Sequence, residues 1–199
     1  MATFAELVAD VKILTNRPDL DAEIKLAVKA ATLKAHHTDF YPKDLYGVAI
    51  QWTPVGFQQS LDYRTIVPRW RALKYLRKYD PTSTTSTSGD FFNILLPEQL
   101  VDGYGLNRDD VCYLAGESLE IRSSTEDDYM LLGCYLHPDI TELTYSSWIA
   151  LDHPYAIEYE ATSKIFKMTG FDEQATMMQR EVVEQFTLLR NSNILGNGY

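Results

Sequence analysis

The sequence predicts an α+β fold in which a helical layer is interrupted by an inserted antiparallel β domain. Two observations predict it. Apolar residues recur at three- and four-residue spacing toward both ends, from Phe4 to Ala35 and again from Leu151 to Asn191. Between them, from Asp39 to about Tyr145, short runs rich in aromatic and branched side chains are punctuated by Gly, Pro, Asn and Asp, as strands and turns are. The organisation expected is a helical layer over 1–45 and 145–192, a β-rich insertion over 46–144 and a flexible tail over 193–199. No segment repeats at a fixed period, which argues against solenoids and propellers.

In chain order, Thr3 and Glu6 form a capping box that opens a helix with the stripe Phe4, Leu7, Val8, Val11 and Leu14. Asn16-Arg17-Pro18-Asp19 breaks it, and Pro18 suits the first turn of a second helix. That helix carries Leu20, Ile24, Ala27, Ala31 and Ala35, an alanine-rich side that permits close helix approach. Strands are expected near Gly47–Thr53, Arg69–Tyr79, Phe91–Leu95, Asp110–Ala115, Ser118–Arg122 and Tyr129–Leu136. Gly116-Glu117 has the glycine-first form of a type II′ hairpin loop. Pro97 to Gly105 suits a short helix, and the Ser/Thr run Thr82 to Gly89 an exposed hairpin tip.

Asp152 is placed to cap a third helix, with Pro154 in its first turn and a stripe of Ile157, Ala161, Ile165 and Met168. Gly170 ends it. Asp172 caps the fourth, whose stripe is Ala175, Met178, Val182, Phe186 and Leu189. The short corner forces the two helices side by side. From Asn191 to Tyr199 only Ile194, Leu195 and Tyr199 can anchor the chain, so a tail is expected that orders against a partner.

Composition narrows the function classes. With 199 residues, 45% hydrophobic and 23% charged, the chain needs no disulfide or metal to fold. The net charge of −10 argues against gripping nucleic acid by phosphate neutralisation, though not against its passing close by. Thirteen tyrosines and three tryptophans favour protein interfaces, or fill sheet faces. Cys112 and Cys134 lie in strand-like runs and read as buried free thiols in a reducing compartment. Met1 to Leu14 lacks the form of a signal peptide, and no run of apolar residues is long enough for a membrane span. A soluble intracellular product without membrane attachment is expected.

No catalytic, cofactor-binding or metal-binding set stands out. His36 and His37 are adjacent and point about 100° apart on a helix, so they cannot share one ion. His137 and His153 fall in other elements. Ser118 lacks the second glycine of a nucleophile elbow, and no phosphate-binding glycine loop is present. Asp109-Asp110 and Asp127-Asp128 sit before strands, where turn duties are usual, although any such pair is formally a glycosidase dyad. The most unusual feature is basic: Arg64, Arg69, Arg71, Lys74, Arg77 and Lys78 crowd fifteen positions. Three readings stay open. These are an exposed strand protected from edge aggregation, an interface with the acidic face of another copy, and a nucleic-acid patch.

Several segments together resemble the head-to-tail adaptor (head–tail connector) proteins of tailed bacteriophages, of the short-tailed type. The carriers are Leu14-Thr15-Asn16-Arg17-Pro18-Asp19-Leu20, Asp39-Phe40-Tyr41-Pro42-Lys43-Asp44 and Pro68 to Arg77. Ala115 to Ser124, and Trp148-Ile149-Ala150 before His153-Pro154, complete the set. None is a chemical motif. The resemblance implies a structural, non-enzymatic virion protein, made in the host cytoplasm and placed at the head–tail junction. It implies a homo-oligomeric ring, dodecameric in such families, docked beneath the portal protein and offering a surface to tail tube, nozzle or tail-fibre proteins. DNA would pass through its lumen without specific binding. Arg69, Trp70, Arg71, Lys74, Arg77 and Lys78 are then expected at a subunit or partner interface, and Asn191, Ile194, Leu195 and Tyr199 on the portal. The alternative is a small virion-associated cell-wall hydrolase using one of the aspartate pairs.

Overall fold

The computed structural model describes residues 3–79, 90–96, 98–99, 108–125 and 128–196, the last four of these as backbone. It has an α+β fold that divides into two compact units, Met1–Asp44 with His137–Tyr199, and Leu45–Leu136. The expected helix at Pro97 to Gly105 and the expected tip at Thr82 to Gly89 lie largely outside the described residues.

The first unit is helical. Helix α1 (Phe4–Thr15) opens on the predicted capping box: the Glu6 amide donates to Thr3 Oγ1 at 3.2 Å and the Thr3 amide to Glu6 Oε2 at 2.7 Å. Asn16 closes it in the left-handed conformation, at φ 52°. Helix α2 (Asp21–His37) begins later than expected: Pro18 lies outside it, and Leu20 occupies the cap position without a side-chain bond. Asp21 substitutes by charge, pairing with Lys25 one turn on at 2.9 Å and with Lys12 of α1.

The second unit contains the short helix α3 (Tyr63–Ile66), and after that unit the chain returns through another short helix. Helix α4 (Trp148–Asp152) is capped by Ser147 and was not anticipated. Asp152 ends this helix, so it does not cap the next one; helix α5 (Pro154–Thr169) starts at Pro154 itself, whose missing N–H costs nothing there. Gly170, at φ 80°, turns the chain into helix α6 (Asp172–Gly196). Phe4, Leu7, Val11, Ile24, Val28, Ile149, Ile157, Ile165 and Leu189 form the common core. Two stripe positions, Leu14 and Met168, are exposed.

The second unit is built on two sheets. Strand β1 (Leu45–Gln51), β3 (Trp70–Tyr79) and β7 (Tyr129–Leu136) form one, in the order β1-β7-β3, with both neighbours antiparallel to the central β7. Strands β2 (Gln58–Asp62), β4 (Asn93–Ile94), β5 (Val111–Ala115) and β6 (Ser118–Arg122) form the other, in the order β2-β6-β5-β4. The short β4 runs parallel to β5, so this sheet is mixed and not purely antiparallel. Gly116 at φ 63° makes the β5–β6 turn, and Glu117 keeps a negative φ, the combination of a type II′ turn. Ile50, Trp52, Leu76, Leu119, Ile121, Met130 and Leu132 fill the core. Both cysteines are free and buried there, and burial pushes the Cys112 thiol up to about 12 and the Cys134 thiol up to about 11.

Gly133 shows why β7 carries a glycine at its centre. A Cβ there would meet the Tyr75 ring of β3 at 2.4 Å, so the aromatic ring lies directly on the glycine backbone. The Tyr75 ring is itself held edge-on against Phe91, with centroids 5.8 Å apart.

Candidate functional site

Three arrangements carry the chemistry of the described residues. The first is a buried polar network in the helical unit. Burial of the α2 stripe turns His36 inward at the helix end, and the 3-10 turn Pro42–Asp44 brings a carboxylate to it. His36 Nδ1 donates to Asp44 Oδ1 at 2.9 Å and Oδ2 at 3.1 Å, since a carboxylate only accepts. His36 Nε2 lies 2.9 Å from the Ser147 hydroxyl. Trp148 Nε1 donates to Asp44 at 2.8 Å. The Trp148 ring meets the Tyr41 ring edge-on at 5.1 Å, and Lys43 Nζ lies 4.9 Å from its centroid while pairing with Asp152 at 2.6 Å. Asp–His–Ser in this order and through these nitrogens is the order of a serine hydrolase triad. Here the Ser147 oxygen accepts the Ala150 amide and so caps α4. His36 is a buried histidine with both ring nitrogens engaged, and the network locks two segments about a hundred positions apart.

The second is the basic run. It does not form one patch. Arg64 pairs with Glu117 at 2.6 Å in an exposed bridge, and Lys78 pairs with Asp110 at 2.8 Å. Trp70 packs on Tyr63 with ring centroids 4.5 Å apart. Arg77 buries its Nε with no hydrogen-bond partner among the described residues. The break in alternation at Arg69 to Leu73 has a geometric origin: β3 pairs with β7 through register shifts between Trp70 and Ala72 and between Leu73 and Tyr75. Arg71 and Lys74 are the extra residues, and bulges of this kind re-aim side chains at a sheet edge.

Asp109 and Asp110 are engaged in local hydrogen bonds and an ion pair. Asp109 accepts the Ser124 amide at 2.6 Å and the Ser124 hydroxyl, which hold its carboxyl below the usual range. Asp110 accepts the Ser123 hydroxyl at 2.5 Å and faces Lys78. A general acid needs the opposite shift. The Asp128 carbonyl accepts the Trp52 amide at 2.8 Å, and Asp127 lies outside the described residues.

The third arrangement was not foreseen. Between α1 and α5 runs a groove of about 610 Å³, with Glu6, Asp10, Ile13 and Leu14 on one side and Tyr155, Glu158 and Tyr159 on the other. Glu158 is only 6% exposed and makes no hydrogen bond or ion pair among the described residues. Burial, with a smaller contribution from the Asp10 charge, pushes its carboxyl up to about 7. The only signal in the sequence was Glu158 adjoining the stripe residue Ile157, which is weak because neighbouring positions usually reach solvent.

The C-terminal segment departs from expectation. The backbone from Asn191 to Gly196 continues α6 in place of a loose tail, with the Ser192 hydroxyl donating to the Leu189 carbonyl at 2.7 Å. No helix breaker precedes Gly196, so propagation meets no obstacle. Asn191 is exposed; the side chains of Ile194 and Leu195, and all of Tyr199, lie outside the described residues. Among the described residues, no three His, Cys, Asp or Glu side chains are placed to hold a metal ion, and no helix is long and apolar enough to cross a membrane.

No protein-family model matches this sequence, and no curated protein matches it.

Proposed function

We propose that this chain is a structural virion protein, a head-to-tail adaptor that assembles as a ring under a phage portal and presents a surface to tail proteins. The observation that carries the reading is where the adaptor-like segments meet. Asp44, from Asp39–Asp44, accepts from Trp148, from Trp148–Ala150, inside one buried network. Segments that meet in a buried hydrogen-bonded network build a scaffold, which suits a protein that acts by shape. A helical unit interrupted by a β-rich unit agrees with the same reading. The charge of −10 per copy suits a channel along which DNA slides, because carboxylates repel phosphates where lysines would trap them.

The test is negative-stain microscopy of the full chain mixed with the portal of the same phage. Rings stacked on the portal are expected, and a chain that stays unattached refutes the reading. Deleting Ile194 to Tyr199 is expected to weaken co-sedimentation with the portal while the melting transition stays in place.

A second reading is favoured by Glu158 and Asp10. A carboxyl pushed up to about 7, with another acid lining the same open groove, suits a glycosidase general acid. Zymography on peptidoglycan separates the two: clearing that disappears in Glu158→Gln supports a cell-wall hydrolase.

A further inference from the structure

We propose that the α1–α5 groove receives Lys74 of a second copy of this chain, its ammonium seated between Glu158 and Asp10. The inference rests on the ring reading and names the contact that would join neighbouring copies.

The groove side of the argument begins with Glu158. Most of Glu158 is buried while its carboxylate opens on the groove and meets no donor among the described residues, and a carboxylate so placed is stabilised by taking a proton or by meeting a cation. The one charge acting on it is that of another acid, Asp10, and among the described residues no cation pairs with it. The walls suit a long cationic side chain better than a bare ion. Tyr155, 54% exposed and stacked on Tyr159 at 5.5 Å, offers a ring face to an ammonium. Ile13, 76% exposed, offers apolar surface to a methylene stem. A metal ion is poorly served, because no three ligating side chains converge among the described residues.

The donor side follows from a census of the lysines. Of the nine in the chain, eight make an ion pair or hydrogen bond among the described residues: Lys12, Lys25, Lys29, Lys34, Lys43, Lys78 and Lys164 to carboxylates, and Lys167 to Gln179. Lys74 is the one lysine that makes none among the described residues; Arg69 and Arg180 are likewise exposed without a carboxylate there, and Lys74 differs from them in its placement. It is exposed, on an edge strand, at a bulge that turns it out of the regular alternation. A buried acid without a base and an exposed base without an acid are thus carried on one chain. Because the two surfaces differ, the contact is heterologous, and repeating it closes a ring or extends a filament. Copies that repel through a net charge of −10 each need such local complementarity to associate.

The test is sedimentation velocity on the full chain, alone and with the portal, for wild type, Lys74→Glu and Glu158→Gln. Circular dichroism confirms that each variant is folded. Each single variant is expected to weaken association about 30-fold or more. The decisive sample is an equimolar mixture of the two. Lys74→Glu retains the groove and Glu158→Gln retains the lysine, so the mixture is expected to form dimers but nothing larger. A mixture that behaves as its components do separately overturns the proposal. So does a Glu158→Gln chain that associates normally; if it also loses a lytic activity of the wild type, the groove belongs to catalysis. Rings of wild type on the portal that persist in both variants overturn this contact and leave the adaptor reading standing. A wild-type chain that never associates overturns both.

Discussion

Replacing Glu158 by Gln removes one ionisable group and little volume, so its effect on stability isolates the cost of a buried carboxylate. The carboxyl ordinarily titrates at 4.5 and is pushed up to about 7 in the fold. That difference corresponds to a ceiling of about 3.4 kcal/mol at 1.36 kcal/mol per pH unit. The groove admits water, which screens the charge, so about 1–3 kcal/mol is expected. The sign is fixed by which state holds the proton more tightly. Below about 4.5 both folded and unfolded chains are protonated at this site. As pH rises to about 7 the unfolded chain has released its proton and the folded chain has not, so stability falls across that window and levels off above it. Carboxylates with lowered values, Asp19, Asp21, Asp62 and Asp109, act oppositely and at lower pH. They cancel in the difference between variant and wild type. Glu6 and Asp10 on α1, and Tyr155 and Tyr159 on α5, face the groove unchanged in both. Urea unfolding of both chains, followed by tryptophan fluorescence, is therefore expected to show near equality at about pH 4.5 and a more stable variant at about pH 8. A difference that does not vary with pH, or a variant less stable at about pH 8, refutes the reasoning. The second result would mean that the carboxylate has a donor after all.

Three further outcomes follow from local geometry. Gly133→Ala places a Cβ in the Tyr75 ring and is expected to cost about 1–3 kcal/mol in urea unfolding, with a smaller loss when Tyr75→Ala accompanies it. Ser147→Ala removes both the α4 cap and the hydroxyl facing His36, for about 1–2 kcal/mol, and wild-type Ser147 is expected to resist fluorophosphonate labelling because its oxygen serves the backbone. Cys112 and Cys134 are expected to react with a thiol reagent only as fast as the chain opens, since burial keeps both protonated; prompt labelling of either refutes that packing.

What the amino-acid order determined by itself was whatever depends on near neighbours in the chain. The Thr3–Glu6 capping box, the Gly116 turn, the Gly170 corner and the inward faces Phe4-Leu7-Val11 and Ile24-Ala31-Ala35 all rest on interactions within a few residues, which propensity and periodicity encode. Strand β2 escaped detection because Gln58, Gln59 and Ser60 are polar; it is held by pairing to β6 and by bonds from Gln58 and Ser60 to Glu120, sixty residues away. Asp152 has the chemistry of a cap, yet Ser147 starts a helix five residues earlier and leaves Asp152 to Lys43. The bulges that set Lys74 apart depend on the register against β7, and the union of His36, Asp44, Ser147 and Trp148 depends on bringing together segments about a hundred positions apart. Glu158 illustrates the limit best. Its identity is plain in the chain, but whether a carboxylate meets water, a lysine or another acid is decided by which helix packs against it, and here that helix, α1, comes from the opposite end of the sequence.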